Sequence, residues 1–175
     1  SDYKNEESIK LILTDFIKKN IDSFLENNKK KFFVEDNTWN ILYAKELEVL
    51  VPSSKLIHVI RDPRDVVASF INQSWCPNNL KQCIEMYKSI IKKWFEICHI
   101  LDKQKFKLIK LENLAFNKDT EIKKICSFCE LNFESNLLEI NLSMHNSGRW
   151  KNEFNNKEQN ILNDSLKDII NKFNY

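Results

Sequence analysis

Apolar residues recur along the chain at two different spacings. From Ser1 to Asn28, the positions Ile9, Ile12, Phe16, Ile17, Ile21, Phe24 and Leu25 keep near-helical spacing, which predicts an amphipathic helix with a core-facing stripe. The Lys29-Lys30-Lys31 run reads as a solvated turn, and Phe32-Phe33-Val34 as a short buried strand that ends at Glu35. A helix from about Trp39 to Leu50 leads through Pro52 into a second strand carrying Leu56, Ile57, Val59 and Ile60. Residues 80 to 101 form the longest stripe: Leu80, Cys83, Ile84, Tyr87, Ile90, Ile91, Trp94, Cys98 and Leu101. Tyr87 and Trp94 therefore read as core. Phe106 to Leu111 reads as a third strand, residues 118 to 131 as a helix, and Lys157 to Phe173 as a last helix with Ile161, Leu162, Leu166, Ile169, Ile170 and Phe173 on one face. Strands separated by helices predict an α/β fold, a parallel β-sheet flanked by helices, in a single domain over 1–175.

The stretch from Lys55 to Phe70 organises the rest. Asp62 suits the cap of the helix that follows the second strand, and Pro63 its first turn, where a backbone donor is not missed. Arg61 then sits where a strand ends and a helix begins. Free N–H groups, the positive end of the helix dipole and a guanidinium would meet there, which favours a phosphate. Asp62, Val66 and Ser69 share a helical face, so the Ser69 hydroxyl could join an anion held by Arg61. The plainer reading is a βα turn whose surface Arg61 pairs with Asp65.

Composition narrows the classes. The chain has 175 residues, 42% hydrophobic and 30% charged, with a net charge of +2, which suits one soluble globular domain and gives no electrostatic sign of a nucleic-acid binder. No apolar run approaches the roughly 20 residues that span a bilayer, and no signal peptide is visible. Five cysteines without regular spacing fit free thiols in a reducing compartment, hence a cytoplasmic protein. Cys126-Ser127-Phe128-Cys129 is a lone C-x-x-C on a helical face with Ile122, better read as buried thiols than as a metal site. His58, His99 and His145 share no spacing, and His58, in mid-strand, reads as a satisfied interior or interface histidine. Gly148 is the single glycine where average usage of about 7% would give roughly 12, so a Gly-rich phosphate loop cannot lie within these residues.

Four segments together resemble sulfotransferases that use 3′-phosphoadenosine 5′-phosphosulfate (PAPS). Arg61 to Ser69 resembles their 3′-phosphate motif: a strand, an Arg, a Pro-containing turn, an Asp, and a Ser eight residues after the Arg. Glu35-Asp36-Asn37-Thr38-Trp39-Asn40 is similar to the Glu-Lys-Thr-Pro-x-Asn segment, departing from it at Asp36, Asn37 and Thr38; Glu35 matches the Glu that serves glycan sulfotransferases as catalytic base. A capping carboxylate is the alternative for Glu35. Leu111-Glu112-Asn113-Leu114 resembles Tyr-Glu-Asp-Leu, with Leu111 at the aromatic position near adenine. Ser147-Gly148-Arg149-Trp150-Lys151-Asn152 resembles the segment that closes over the nucleotide near the 3′-phosphate, and its glycine would serve a positive φ or a close approach to phosphate.

The resemblance covers roughly residues 31 to 175 and implies a P-loop NTPase-like sulfotransferase fold. That family's first strand and Gly-rich loop are not found here, so the fold is expected to be N-terminally incomplete, with residues preceding Ser1 or an unusual partner strand filling the gap. The implied function is sulfuryl transfer from PAPS, as co-substrate, to an acceptor hydroxyl or amine. Glu35 would be the general base; Arg61 and Ser69, with Ser147, Gly148, Arg149 and Lys151, would grip the 3′-phosphate. No metal, nucleic acid or membrane segment is implied, and the acceptor would be a small molecule or glycan. Trp75, in the polar loop 72–79, reads either as an acceptor wall or as a surface anchor. A non-catalytic nucleotide-binding or interaction module of the same fold is the alternative, and an ATP-using kinase relative a third reading, disfavoured by the missing Walker lysine.

Overall fold

The computed structural model of the chain describes residues 2–142 and 146–175, with side chains from residue 5 onward; His145 lies outside the described residues. The elements are α1 (Asp2–Asn27), a 3₁₀ helix (Thr38–Tyr43), α2 (Ala44–Leu50), β1 (Leu56–Ile60), α3 (Pro63–Phe70), α4 (Leu80–Ile97), β2 (Phe106–Lys110), α5 (Leu111–Phe116), α6 (Lys118–Cys129), a second 3₁₀ helix (Ser135–Glu139), α7 (Trp150–Glu153) and α8 (Asn156–Lys172). β1 and β2 pair in parallel, Leu56 opposite Phe106 through Ile60 opposite Lys110. The connection between them is α3 and α4, as a parallel pair requires.

Local chemistry sets the helix ends. Asn79 caps α4 by accepting from the Gln82 amide at 3.2 Å. Asn155 opens α8 with a reciprocal capping box to Glu158. α6 ends at Glu130 in the left-handed region (φ 58°), with the Leu131 amide bonded back to the Cys126 carbonyl at 2.8 Å, a Schellman closure built without glycine.

The core follows the long stripe of α4. Cys83, Ile84, Tyr87, Ile91, Trp94 and Ile97 are buried with Leu162, Leu166, Ile169 and Ile170 of α8 and Val67 and Ala68 of α3. Trp94 reaches the sheet, its ring 4.3 Å from His58 and 4.9 Å from Phe106. The opposite face meets α6, where Phe128 lies under the ammonium groups of Lys55 and Lys107. Helices thus lie against both faces of a small parallel sheet, and the α/β class read from the sequence is the class observed.

Three expectations are corrected. Phe32-Phe33-Val34 is not a strand: the segment is irregular, its side chains are exposed (Val34 84%), and among the described residues no strand pairs with it, so Glu35 does not end a strand. The α1 stripe does not face the core. Ile9, Ile12, Phe16 and Phe24 are exposed and only Ile17, Ile21 and Leu25 are half-buried; helical period reports an apolar face, not what covers it. The stretch from Trp39 begins as 3₁₀ turns and becomes α-helical at Ala44.

His58 is half-buried against Trp94, but it is not the satisfied histidine that its mid-strand position suggested. Its Nδ1 is buried without a hydrogen-bond partner among the described residues, and burial lowers its pKa from 6.5 to about 4. The native imidazole therefore refuses a proton that the unfolded chain accepts below pH 6.5. Stability is untouched above that value and falls as pH drops from 6.5 toward 4, by up to about 3 kcal/mol at 1.36 kcal/mol per pKa unit. Urea unfolding between pH 7.5 and 4.5 should show this fall in the wild type and a flatter profile in His58→Phe; equal slopes would refute it.

Candidate functional site

Strand β1 delivers Arg61, and α3 carries the partners that hold it. Arg61 is largely buried, its side chain 14% exposed. Its Nη2 donates to the Asn146 carbonyl and stands 3.6 Å from Asp65 Oδ2, while its Nε is buried with no hydrogen-bond partner among the described residues. Ser69 lies one helical turn beyond Asp65, about 6 Å along the axis at 1.5 Å per residue. It is half-buried, and its hydroxyl bonds to no described residue.

The Arg61–Asp65 pair named by the plainer reading exists, but it is no surface pair. Asp65 is fully buried, and its carboxylate accepts from the Gly148 amide at 2.7 Å and the Trp150 amide at 3.0 Å. One carboxylate thus ties the strand–helix turn to the segment 146–150 from the far end of the chain. Gly148 has φ +80°, which an L-residue adopts only with strain. A Cβ there would meet nothing within 4 Å, so the conformation, not a close neighbour, requires the glycine.

The turn itself differs from expectation in one respect. Two amides at the turn are already engaged. Asp62 accepts from the Arg64 amide at 2.9 Å, and the Asp62 amide donates to Glu112 Oε1 at 3.0 Å. Glu112, at the start of α5, also accepts from the Tyr175 hydroxyl at 2.6 Å. Arg64 is spent on structure: it bonds Asp62 at 2.9 and 2.7 Å and Asn163 at 3.0 Å, and stacks 4.3 Å from the Trp150 ring. Two arginines therefore face three carboxylates. An anion here would be held by directed donors, not by excess positive charge.

The remaining candidates divide. Ser147 and Gly148 stand beside Asp65 through the same clamp, both half-buried. Arg149 is held by Glu153 through Nε at 2.7 Å and Nη2 at 2.5 Å, an i,i+4 pair that the spacing alone could have shown. Lys151 is exposed, with its ammonium 5.7 Å from the Trp150 ring. Glu35 is exposed in the irregular segment before the 3₁₀ helix. That segment is anchored at Trp39, whose ring stands 5.5 Å from Trp75, which in turn stands 4.9 Å from Phe70, next to Ser69. Leu111 is half-buried at the start of α5. Sequence reading missed the role of Glu112: its partner amide is fifty residues away, and only the parallel register, which sets Ile60 beside Lys110, reveals the contact. Among the described residues, no group of His, Cys, Asp and Glu gathers closely enough to hold a metal ion, and no helix is long and apolar enough to cross a membrane. Cys126 and Cys129 are free thiols, the first buried and the second half-buried.

A family model described as the sulfotransferase family matches residues 1–135. The chain belongs to the sulfotransferase family. The match takes in Glu35, Arg61, Ser69 and Glu112, and stops short of the Ser147–Lys151 segment. One solved structure agrees in fold, and a second gives a weaker likeness. The sulfotransferase domain from the curacin biosynthetic pathway superposes with a TM-score of 0.62 at 15% identity, over 86% of this chain and 68% of that one. Mouse sulfotransferase SULT7A1, solved with PAP, gives a TM-score of 0.49 at 14% identity, over 71% of this chain and 60% of its own. No curated protein matches the sequence. The fold is the P-loop-like sulfotransferase fold.

The clamp makes a measurable demand. Asp65→Ala would leave two backbone donors and a largely buried guanidinium without their carboxylate, at a cost of about 3–5 kcal/mol. Chemical denaturation should show that loss, with Asp65→Asn between the two; a loss below 1 kcal/mol would mean that the clamp contributes little. Gly148→Ala should cost about 1 kcal/mol through backbone strain alone, since space for the methyl group is open.

Proposed function

We propose that this sulfotransferase chain binds PAPS through its 3′-phosphate and transfers the sulfuryl group to an acceptor hydroxyl or amine. The observation that carries the reading is Arg61: a buried guanidinium whose Nε lacks a partner among the described residues, paired with Asp65, which lies one helical turn before Ser69 and its unengaged hydroxyl. Buried polar groups of native proteins are nearly always satisfied, so an orphaned Nε and an unused hydroxyl on the following helix support a missing acceptor, and a phosphate suits both donors. The open space beyond Gly148 supports an approach of that phosphate to the Ser147–Gly148 backbone. Arg149 and Lys151 are proposed as outer contacts: Arg149 would have to share its guanidinium with Glu153, and Lys151 is free to swing from the Trp150 face.

In this reading the donor is positioned by its 3′-phosphate, and the protein's task is alignment and charge stabilisation. Glu35 would take the acceptor proton. Its support is its match to the family's Glu segment and the aromatic link Trp39–Trp75–Phe70, which joins that segment to the helix bearing Ser69. The acceptor would lie between the two, as a small molecule or glycan. The exposure of Glu35 favours one second reading, a nucleotide-binding module without transfer.

Two measurements separate these. Isothermal titration of Arg61→Ala should show at least about a tenfold loss of affinity for 3′-phosphoadenosine 5′-phosphate, from hydrogen bonds to a charged group, and little change for AMP; equal losses for both would overturn the 3′-phosphate assignment. Glu35→Gln should slow transfer of labelled sulfate by about a hundredfold or more while leaving nucleotide affinity unchanged, as loss of a general base does. Tight nucleotide binding with no transfer by the wild type would support the binding module instead.

A further inference from the structure

The loop between α3 and α4 holds a feature that sulfuryl transfer does not use. Cys76, in that loop, and Cys83, on the first turn of α4, place their sulfur atoms 3.1 Å apart. Both are buried, Cys76 to 8% and Cys83 to 0% exposure. The Cys83 thiol also points at the Val67 carbonyl of α3, at 3.8 Å. The other cysteines, Cys98, Cys126 and Cys129, have no such thiol–thiol contact among the described residues. A disulfide bond is ~2.05 Å long, so closing the pair asks for a movement of about 1 Å. Cys76 sits in a loop of turns, so the loop side can take up that movement.

We propose that Cys76 and Cys83 form an intramolecular disulfide when the protein meets a low-molecular-weight disulfide of the glutathione type. The chemistry is a double exchange. The Cys76 thiol, the more exposed of the two, loses its proton and attacks one sulfur of the oxidant; the oxidant's S–S bond breaks and one small thiol leaves. Cys83 then loses its proton and attacks Cys76 Sγ, which expels the second small thiol and leaves the protein S–S bond. The protein gives up two protons and two electrons, and the two sulfurs of the oxidant take them up. Burial, helped by the neighbouring Cys76, pushes the Cys83 thiol up to about 12. The exchange therefore proceeds slowly, through openings of the loop.

The bond would staple the loop to α4 just after Trp75, whose ring packs on Phe70. It would also convert an odd set of five thiols into one disulfide and three free cysteines. The proposal goes beyond the sulfotransferase reading and does not depend on it.

The test uses the wild-type chain. Reduced, unfolded protein is refolded in a glutathione redox buffer, its free thiols are blocked, and the trypsin peptides are mapped by mass spectrometry without reduction. Lys81 lies between the two cysteines, so trypsin separates their peptides and a cross-link is visible directly. The expected result is one dominant bridge, Cys76 to Cys83, absent in Cys76→Ser and retained in Cys98→Ser, with a thermal midpoint that falls on adding reductant. A dominant bridge to Cys98, Cys126 or Cys129 would overturn the proposal. So would recovery of folded protein with Cys76 and Cys83 both reduced, or capped only by glutathione.

Discussion

The structure depends on one buried carboxylate. Asp65 receives two backbone amides from Gly148 and Trp150 and faces the guanidinium of Arg61. Burying a charge without partners costs several kcal/mol, so the carboxylate tolerates its position only because these donors converge on it. The constraint runs both ways. The donors come from segments more than eighty residues apart, and neither the 146–150 turn nor the Arg61 side chain would hold its place if the carboxylate were removed. What the sequence presents as two separate motifs is one hydrogen-bonded unit.

That unit explains the balance of charge around it. Arg64 is consumed by Asp62, Asn163 and the Trp150 ring; Arg149 by Glu153; the Asp62 amide by Glu112. Among the described residues, the Arg61 Nε and the Ser69 hydroxyl are left over, and both are directional. A site of this kind discriminates by where its donors point more than by how much charge it carries, because each ligand oxygen must replace a defined missing partner.

Much of this was legible in the sequence. The α3 start was readable because capping is local: Asp62 and Pro63 occupy the positions their chemistry predicts, and Gly148 has the positive φ that its solitary status suggested. The α4 stripe was readable because seven positions at helical spacing are buried together. The failures share a cause, which is that sequence pattern describes a segment and not its neighbour. Phe32 to Val34 has strand composition but no strand beside it, and α1 has an apolar face that packs on little. The expectation of free amides at this turn failed in the same way, because Glu112 arrives from the start of α5 and claims the amide of the capping residue Asp62. Glu35 was placed at a sheet edge only by the strand that proved absent, and its candidacy now rests on the family match and the aromatic link.

The sheet has a further consequence. Among the described residues, β1 and β2 have only each other as partners, so each presents one backbone edge with no strand against it. β2 reads Phe-Lys-Leu-Ile-Lys, and its lysines repel an incoming strand; β1 reads Leu-Ile-His-Val-Ile, with a neutral histidine and a Val59 that is half exposed. Charged gatekeepers therefore guard one margin of the sheet and not the other. At high concentration, the first adhesion between copies of this domain would begin along β1, by hydrogen bonding of its bare margin to a stray extended segment.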